Sequence, residues 1–332
     1  MAVEIRPATL GDLPEMVALL LDDARSREAR DPILWALAGD ASEQVEKAVR
    51  FALTAEDQPF RQMWYVAEVP GKMIGIIHSA LLPVPPIYAG LWGDPGLVMP
   101  ECFVTPDAPS GTIEALVDAA EAGLRDAGAR LLLASFVSGE DWRSCFEARG
   151  YRPLTLYLAR TGLDAKATPV GVRPASKDDL EAIVERSAAN RAILSSLDVF
   201  WTPHANANSR FARWMERSLA LPERDMLVMS PAGHLEGYVI AQPAARLHFP
   251  PAHDITATGV IDDFFHDGFA DPAGTPEAGA RAAIRLLQGA EAAFSARGIG
   301  SALVVCPAAW TSKIAILESA GYRTALVWMI KR

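Results

Sequence analysis

The stretch FEARGYRP, residues 146–153, returns near the end of the chain as LESAGYRT, residues 317–324. In both copies a glycine closes a short helical run, and the residues behind it start an apolar segment. That is how a helix stopping on a left-handed residue and turning into a strand reads. The two glycines, Gly150 and Gly321, are 171 residues apart (321 − 150). A second match stands at the front: IRPATLGDL from Ile5 and VRPASKDDL from Val172, offset by 167 (172 − 5). Two stretches of nearly equal length that start alike and end alike point to a duplicated domain.

Length agrees, since 332 residues suit two domains of about 150 each. Half of the chain is apolar, enough for two cores, and the net charge of −10 argues against a nucleic-acid surface. That charge is compatible with a cationic substrate. Three widely spaced cysteines, Cys102, Cys145 and Cys306, fit reduced thiols better than a disulfide framework or a zinc site. The N-terminus has no signal pattern. The uncharged run 73–93 contains His78, Pro83, Pro85 and Pro86, so two strands and a loop are expected there rather than a membrane span. These features predict a soluble, cytoplasmic protein.

Both halves present elements in one order. A short strand (2–6; 170–173) meets a proline, then Thr9…Asp12 or Ser176…Asp179 forms a capping box at a helix start. A helical region follows, then a hairpin around Pro70-Gly71 or Pro231-Ala232-Gly233, and a loop with a Pro-Pro pair. The fourth strand reads PECFV (100–104) or DDFFH (262–266). A long helix comes next, with Ile113, Leu116, Val117, Ala120 and Leu124 on one face, or Ala280, Ala283, Leu287, Ala290 and Phe294. An apolar strand, a short helix ending in the Gly-Tyr phrase and a last strand complete the half. The predicted division is 1–160, a linker 161–171, and 172–332. One strand follows each Gly-Tyr, leaving an edge for the other half or a second chain to complete, which allows a homodimer.

This order, met twice, resembles the GNAT superfamily of acyl-CoA-dependent N-acyltransferases over nearly the whole chain. The resemblance implies an α/β fold of two tandem GNAT-like domains, each a mixed, mostly antiparallel sheet flanked by helices. It implies acetyl-CoA as cofactor, its pantetheine on the fourth strand and its pyrophosphate on the free N–H groups that open the next helix. In the second half those positions are Phe264, Phe265 and His266, then Gly279, Ala280 and Arg281. Both loops depart from the family pattern. TPDAPSGTIEAL of the first half has one glycine, no basic residue and Asp107, and DPAGTPEAGARAA of the second keeps Gly279, Ala280 and Arg281 but carries Asp271 and Glu277. Both copies therefore read as degenerate, and the second as the better acyl-CoA-binding candidate. The family's general-acid tyrosine is replaced by Phe146 and Leu317, while Tyr151 and Tyr322 read as packing residues.

The remaining family device is a fourth-strand carboxylate that takes the proton of the amine. Glu101 and Asp263 align there, with Asp262 expected on the opposite face. Phe200, Trp201, His204 and Trp214 fall where the acceptor pocket of such proteins forms. His248, His253 and His266 with Asp254, Asp262 and Asp263 match no known ligand pattern, so no metal is expected. Two functions follow from the resemblance. One is an N-acetyltransferase moving an acetyl group from CoA to a small-molecule primary amine. The other is a non-catalytic tandem protein that binds CoA or another ligand as a sensor or interaction module.

Overall fold

The computed structural model describes residues 3–164, 167–247, 249–275 and 278–332. The repeated front phrase proves to be an arginine clamp. Arg6 donates two hydrogen bonds to the Asp12 carboxylate (2.8 and 2.6 Å), and Arg173 does the same to Asp179 (2.8 and 2.8 Å). Each carboxylate also accepts from the backbone N–H of Thr9 (2.7 Å) or Ser176 (2.8 Å), closing the capping box before the first helix. The arginine and the N–H bonds hold both carboxyls well below the usual range.

From there the first half runs β1 (Glu4–Pro7), α1 (Leu13–Arg30), α2 (Ala41–Thr54), β2 (Gln62–Val69), β3 (Lys72–Leu81), β4 (Gly96–Val104), α3 (Thr112–Asp126), β5 (Leu132–Val137), α4 (Trp142–Ala148) and β6 (Arg152–Thr161). The second half runs β7 (Val172–Pro174), α5 (Leu180–Leu197), α6 (Ala207–Ser218), β8 (Asp225–Met229), β9 (Gly237–Pro243), β10 (Thr258–His266), α7 (Ala278–Ala296), β11 (Ser301–Pro307), α8 (Thr311–Ser319) and β12 (Arg323–Lys331). The run 73–93 holds one strand, not two. β3 ends at Leu81, and the prolines beyond it cannot supply ladder N–H groups, so they lie in a loop. Among the described residues no helix is long and apolar enough to cross a membrane.

All twelve strands join one sheet, ordered β1-β2-β3-β4-β5-β12-β6-β11-β10-β9-β8-β7. The halves exchange their last strands: β12 pairs antiparallel with β5 of the first half, and β6 with β11 of the second. β6 and β12 also pair with each other at the centre. Each half therefore completes the edge that the other leaves open. The cores follow the exchange. Leu158 of β6 packs among the second-half residues Ile240, Phe264 and Leu287, and Val327 and Met329 of β12 among the first-half residues Leu116, Val117 and Phe146.

The repeated end phrase belongs to the same arrangement. Gly150 (φ 82°) and Gly321 (φ 88°) are left-handed stops, and the N–H of the tyrosine behind each returns to Phe146 O or Leu317 O. Tyr322 is buried and donates to Glu291 on α7 (3.0 Å), which also accepts two bonds from Arg160 on the exchanged β6 (2.9 Å each). At the matching place Lys331 on β12 bonds Glu121 on α3 (3.0 and 2.8 Å) and lies over the ring of Tyr151. Both tyrosines tie a half to the strand it borrows.

Candidate active site

The fourth strand of each half is bulged at one point, and both candidate sites form there. In β3–β4, residues 99–101 face the single residue His78, because Ser79 pairs with Val98 and Ile77 with Cys102. In β9–β10, Asp262 is the extra residue between the pairs Ile261–Ala241 and Asp263–Ile240. The parallel pairing on the other side stops just before each bulge, at Val98–Ala134 and at Ile261–Val304. Beyond those pairs β4 parts from β5, and β10 from β11.

In the first half the bulge faces a cavity of about 620 Å³ with walls from Leu20, Val49, Phe51, Phe60 and Phe249. Its floor carries Trp64, His78 and Glu101, all buried. Trp64 stacks on His78 with ring centroids 4.1 Å apart and planes 4° from parallel. A chain of amides holds the imidazole. Gln58 Nε2 donates to Ala52 O (2.9 Å), and Gln62 Nε2 donates to Gln58 Oε1 (3.4 Å). That leaves Gln62 Oε1 to accept from His78 Nε2 (3.1 Å), so Nε2 carries a proton. Nδ1 lies 3.5 Å from Glu101 Oε2, and neither atom has a hydrogen-bond partner within the protein; nor does Trp64 Nε1. Two buried polar atoms without a hydrogen-bond partner thus lie on the wall of one cavity.

Behind this floor Arg27 of α1, fully buried, donates to Pro100 O on the bulge (2.6 Å) and to Glu140 (2.8 Å), and pairs with Asp23 (2.9 Å). Burial pushes the Asp23 carboxyl up to about 7, against the pull of Arg27. On the far side of the cluster is a groove of about 130 Å³ along Cys102, Phe103 and Val104, bounded by Ile113 and Trp142. Arg27 Nη1, at this end of β4, also lacks a partner. No side chain caps α3, and a Cβ at Gly111 would meet nothing within 4 Å, so the helix start is open. Lys72, paired with Asp107 (2.5 Å), places a cation beside that loop. An open helix start, an unsatisfied donor on Arg27 and a free strand edge fit an acyl-CoA, whose amides and phosphates need such partners.

In the second half Asp262 and Asp263 line one cavity of about 310 Å³ together with Tyr88, Trp201, Trp214 and Trp328. Plain strand alternation would have sent Asp262 to the opposite face; as the extra residue of the bulge it breaks the alternation, so both acids face the same space. Asp263 Oδ1 accepts from Tyr238 (2.6 Å) and Asn190 (3.1 Å), and Asp262 from Gln242 (2.9 Å). Asp262 is exposed to solvent and Asp263 half-buried; burial raises the pKa of Asp263. Phe200 lines this cavity as well. His204 is not among its lining residues; its backbone N–H bonds Ile87 O (2.9 Å), joining the halves.

The donor side of the second half is built differently from the first. Phe264 O accepts from Lys313 Nζ (2.7 Å), and this lysine is enclosed by the rings of Phe264, Phe269 and Trp310. Trp310, fully buried, donates to Phe269 O (2.8 Å). Phe265 and His266 are buried as well, His266 Nδ1 accepting from Gly268 N (2.9 Å). A Cβ at Gly279 would stand 2.4 Å from Gly268 Cα, so the glycine permits contact with the chain's own backbone. Ala280 packs at the edge of the core and Arg281 is exposed. Lys313 and the rings of Phe264, Phe269 and Trp310 thus lie against the edge of β10 on which the pantetheine was expected.

His78, Arg27 and Lys313 escaped the sequence reading. Arg27 and Lys313 had a signal, each being a cation on an apolar helical stripe (Leu13, Met16, Leu20, Arg27; Lys313, Ile316, Leu317). His78 is the one titratable residue in the run MIGIIHSA. Of the histidines weighed as metal ligands, His248 lies outside the described residues, and His253 is held by Trp35 O (2.9 Å). Among the described residues no three His, Cys, Asp or Glu side chains gather as a metal set.

No family model matches the chain, and no curated protein matches it. Solved structures do. A GCN5-related N-acetyltransferase from Sphaerobacter thermophilus aligns over 99% of this chain and 95% of its own, with a TM-score of 0.59 at 18% identity. A tandem GNAT protein from the clavulanic acid biosynthesis pathway, without AcCoA, aligns over 99% and 98% at 16% identity, TM-score 0.49. A GNAT-family acetyltransferase from Colwellia psychrerythraea aligns over 98% of each chain at 12% identity, TM-score 0.49. The chain has the GNAT fold, a mixed α/β architecture, over nearly its whole length.

Proposed function

We propose that the protein is an N-acyltransferase whose working site is in the first half, with Glu101 and His78 as the groups that take the proton of an acceptor amine. The observation that supports this most is the pair of buried atoms without hydrogen-bond partners, Glu101 Oε2 and His78 Nδ1, beside the parting of β4 and β5. The 620 Å³ cavity on one side would hold the amine. On the other side, the β4 backbone at Cys102–Val104 and the uncapped start of α3 would hold acyl-CoA. When bound, that group supplies an acyl thioester. The chain's own part is to seat the ammonium against Glu101, take its proton on Glu101 or His78 Nδ1, and line the space around it with apolar side chains such as Phe60 and Phe249. His78 stays aimed because Trp64 and Gln62 hold its ring.

A second reading, a ligand-binding protein without turnover, is favoured by Arg27, which occupies Pro100 O, and by the acids Asp23, Glu140 and Asp141 around the groove. One experiment separates the two. Acetyl-CoA is incubated with a panel of primary amines and the release of free CoA is followed from pH 6 to 10. Glu101→Gln is expected to cost roughly 10²–10⁴-fold, with the deficit shrinking at high pH where the free amine is abundant. Loss of turnover in Asp262→Asn but not in Glu101→Gln would assign catalysis to the second half. Absence of turnover with every amine would leave the binding reading.

A further inference from the structure

We infer that the second-half cavity is a separate binding site for an arylalkyl primary amine, one that binds its ligand without acylating it. The edge of β10 beside the cavity is taken up by the protein's own side chains. Lys313 holds the carbonyl of Phe264 at the parting of β10 and β11, Trp310 and Phe269 fill the space beyond, and Gly268 covers Gly279. The cavity itself is nevertheless built for a ligand, with about 310 Å³ of space.

The chemistry of its lining selects that ligand. Asn190 is buried, and its Nδ2 is committed to Asp263, which leaves its Oδ1 without a donor. Thr155 Oγ1, on the same cavity and buried, lacks a partner too. With the carboxylates of Asp262 and Asp263 these atoms form a patch rich in acceptors, suited to the several N–H groups of a primary ammonium. Around the patch stand aromatic side chains, among them Tyr88, Tyr157, Trp201 and Trp328, which suit an aromatic body and the cation next to it. An anionic ligand would have to face two carboxylates. The cation on this lining, Arg191, is already committed to Ser187, to Asn208 (2.7 Å) and to the face of Phe211.

The roof of this cavity comes from the other half: Leu82, Pro85, Ile87 and Tyr88 belong to the loop that leaves β3, the strand of His78. Tyr88 is pinned to the second half by a bridge to Pro203, and Ala89 N bonds Thr202 O (2.8 Å). The site therefore exists only in the full chain.

The test uses the full-length Glu101→Gln protein, so that the acid of the first cavity is absent, titrated by calorimetry with phenethylamine, tyramine and tryptamine at pH 7.5. One of the amines is expected to bind at one site per chain and to quench tryptophan fluorescence, with at least tenfold preference over the alcohol of the same shape. Adding Asp262→Asn and Asp263→Asn together should weaken binding at least tenfold. Asparagine keeps the shape of the site, and an unchanged circular dichroism spectrum and melting profile would show that the fold survives. A second variant, Trp201→Ala, should weaken binding while leaving both carboxylates in place. Equal binding of amine and alcohol, full binding in the double variant, or no saturable signal with any of the three amines would each overturn the inference.

Discussion

The exchange of β6 and β12 predicts that the chain unfolds as one unit, and two single substitutions test it. Leu158 lies in the N-terminal half of the sequence but packs in the core of the second half, and Met329 does the reverse; both are fully buried. Truncating either to alanine should cost about 2–5 kcal/mol, with about 3 as a central value. Near the melting temperature a chain of 332 residues has an unfolding entropy of roughly 0.7 kcal/mol/K, at about 2.1 cal/mol/K per residue. A loss of about 3 kcal/mol therefore moves one shared transition by about 4 °C. If each half melted alone, its entropy would be half as large, and the same loss would move one transition by about 9 °C and leave the other in place. Differential scanning calorimetry separates these cases, since Leu158→Ala and Met329→Ala should both give a single peak displaced by a similar few degrees. Two resolved peaks, of which each variant moves only one, would refute the reasoning. So would separately expressed halves that each fold and melt cooperatively.

Two further substitutions probe the two donor regions. Arg27→Met would leave Asp23 and Glu140 without their shared guanidinium and should destabilise the protein by about 3–5 kcal/mol at pH 8. The sign with pH follows from Asp23, already pushed up to about 7 from 3.8 in the folded chain: a carboxyl raised on folding costs stability when ionised, so the deficit should shrink as the pH falls to 5, and a deficit constant from pH 5 to 8 in urea titrations would count against the cluster. Gly279→Ala should lower the melting temperature with no ligand present, by the equivalent of about 1–3 kcal/mol, because its Cβ meets the backbone of Gly268; an unchanged melting temperature would mean that this contact is not tight.

Much of the architecture was legible because it rests on local chemistry. The Thr9–Asp12 and Ser176–Asp179 caps, the left-handed Gly150 and Gly321, and the apolar stripe of α3 each need only a few consecutive residues, and each formed as read. What stayed hidden depends on partners distant in sequence. Nothing near β5 says that its neighbour is β12, because strand pairing is a choice among many edges of similar apolar character. The acids on the fourth strands were visible, but their facing was not, since one inserted residue reverses the alternation from which facing is inferred. The loops weighed for phosphate binding misled for a related reason. Small residues at Gly268 and Gly279 signal close approach, and the sequence does not say whether a ligand or the chain itself approaches.

The reciprocal roofs give a physical reason for fusing two such domains. The cavity of the first half is closed by Arg246, Phe249 and Pro251 from the loop that enters β10, the strand of Asp262 and Asp263. The cavity of the second is closed by Pro85 and Tyr88 from the loop that leaves β3, the strand of His78. The bridges Leu37–His253 and Tyr88–Pro203 pin the two roofs in matching positions. Neither cavity keeps its roof in a half alone, and each half also lacks the strand that completes its sheet. Under that constraint one half could give up its donor groove to packing of the kind that Lys313, Trp310 and Phe269 make, and still be retained. Its loop and its strand remain necessary to the other half's site, so selection on one acyl-transfer centre would preserve both halves. The freed cavity, with its acids and aromatic walls intact, is then available for a ligand of its own.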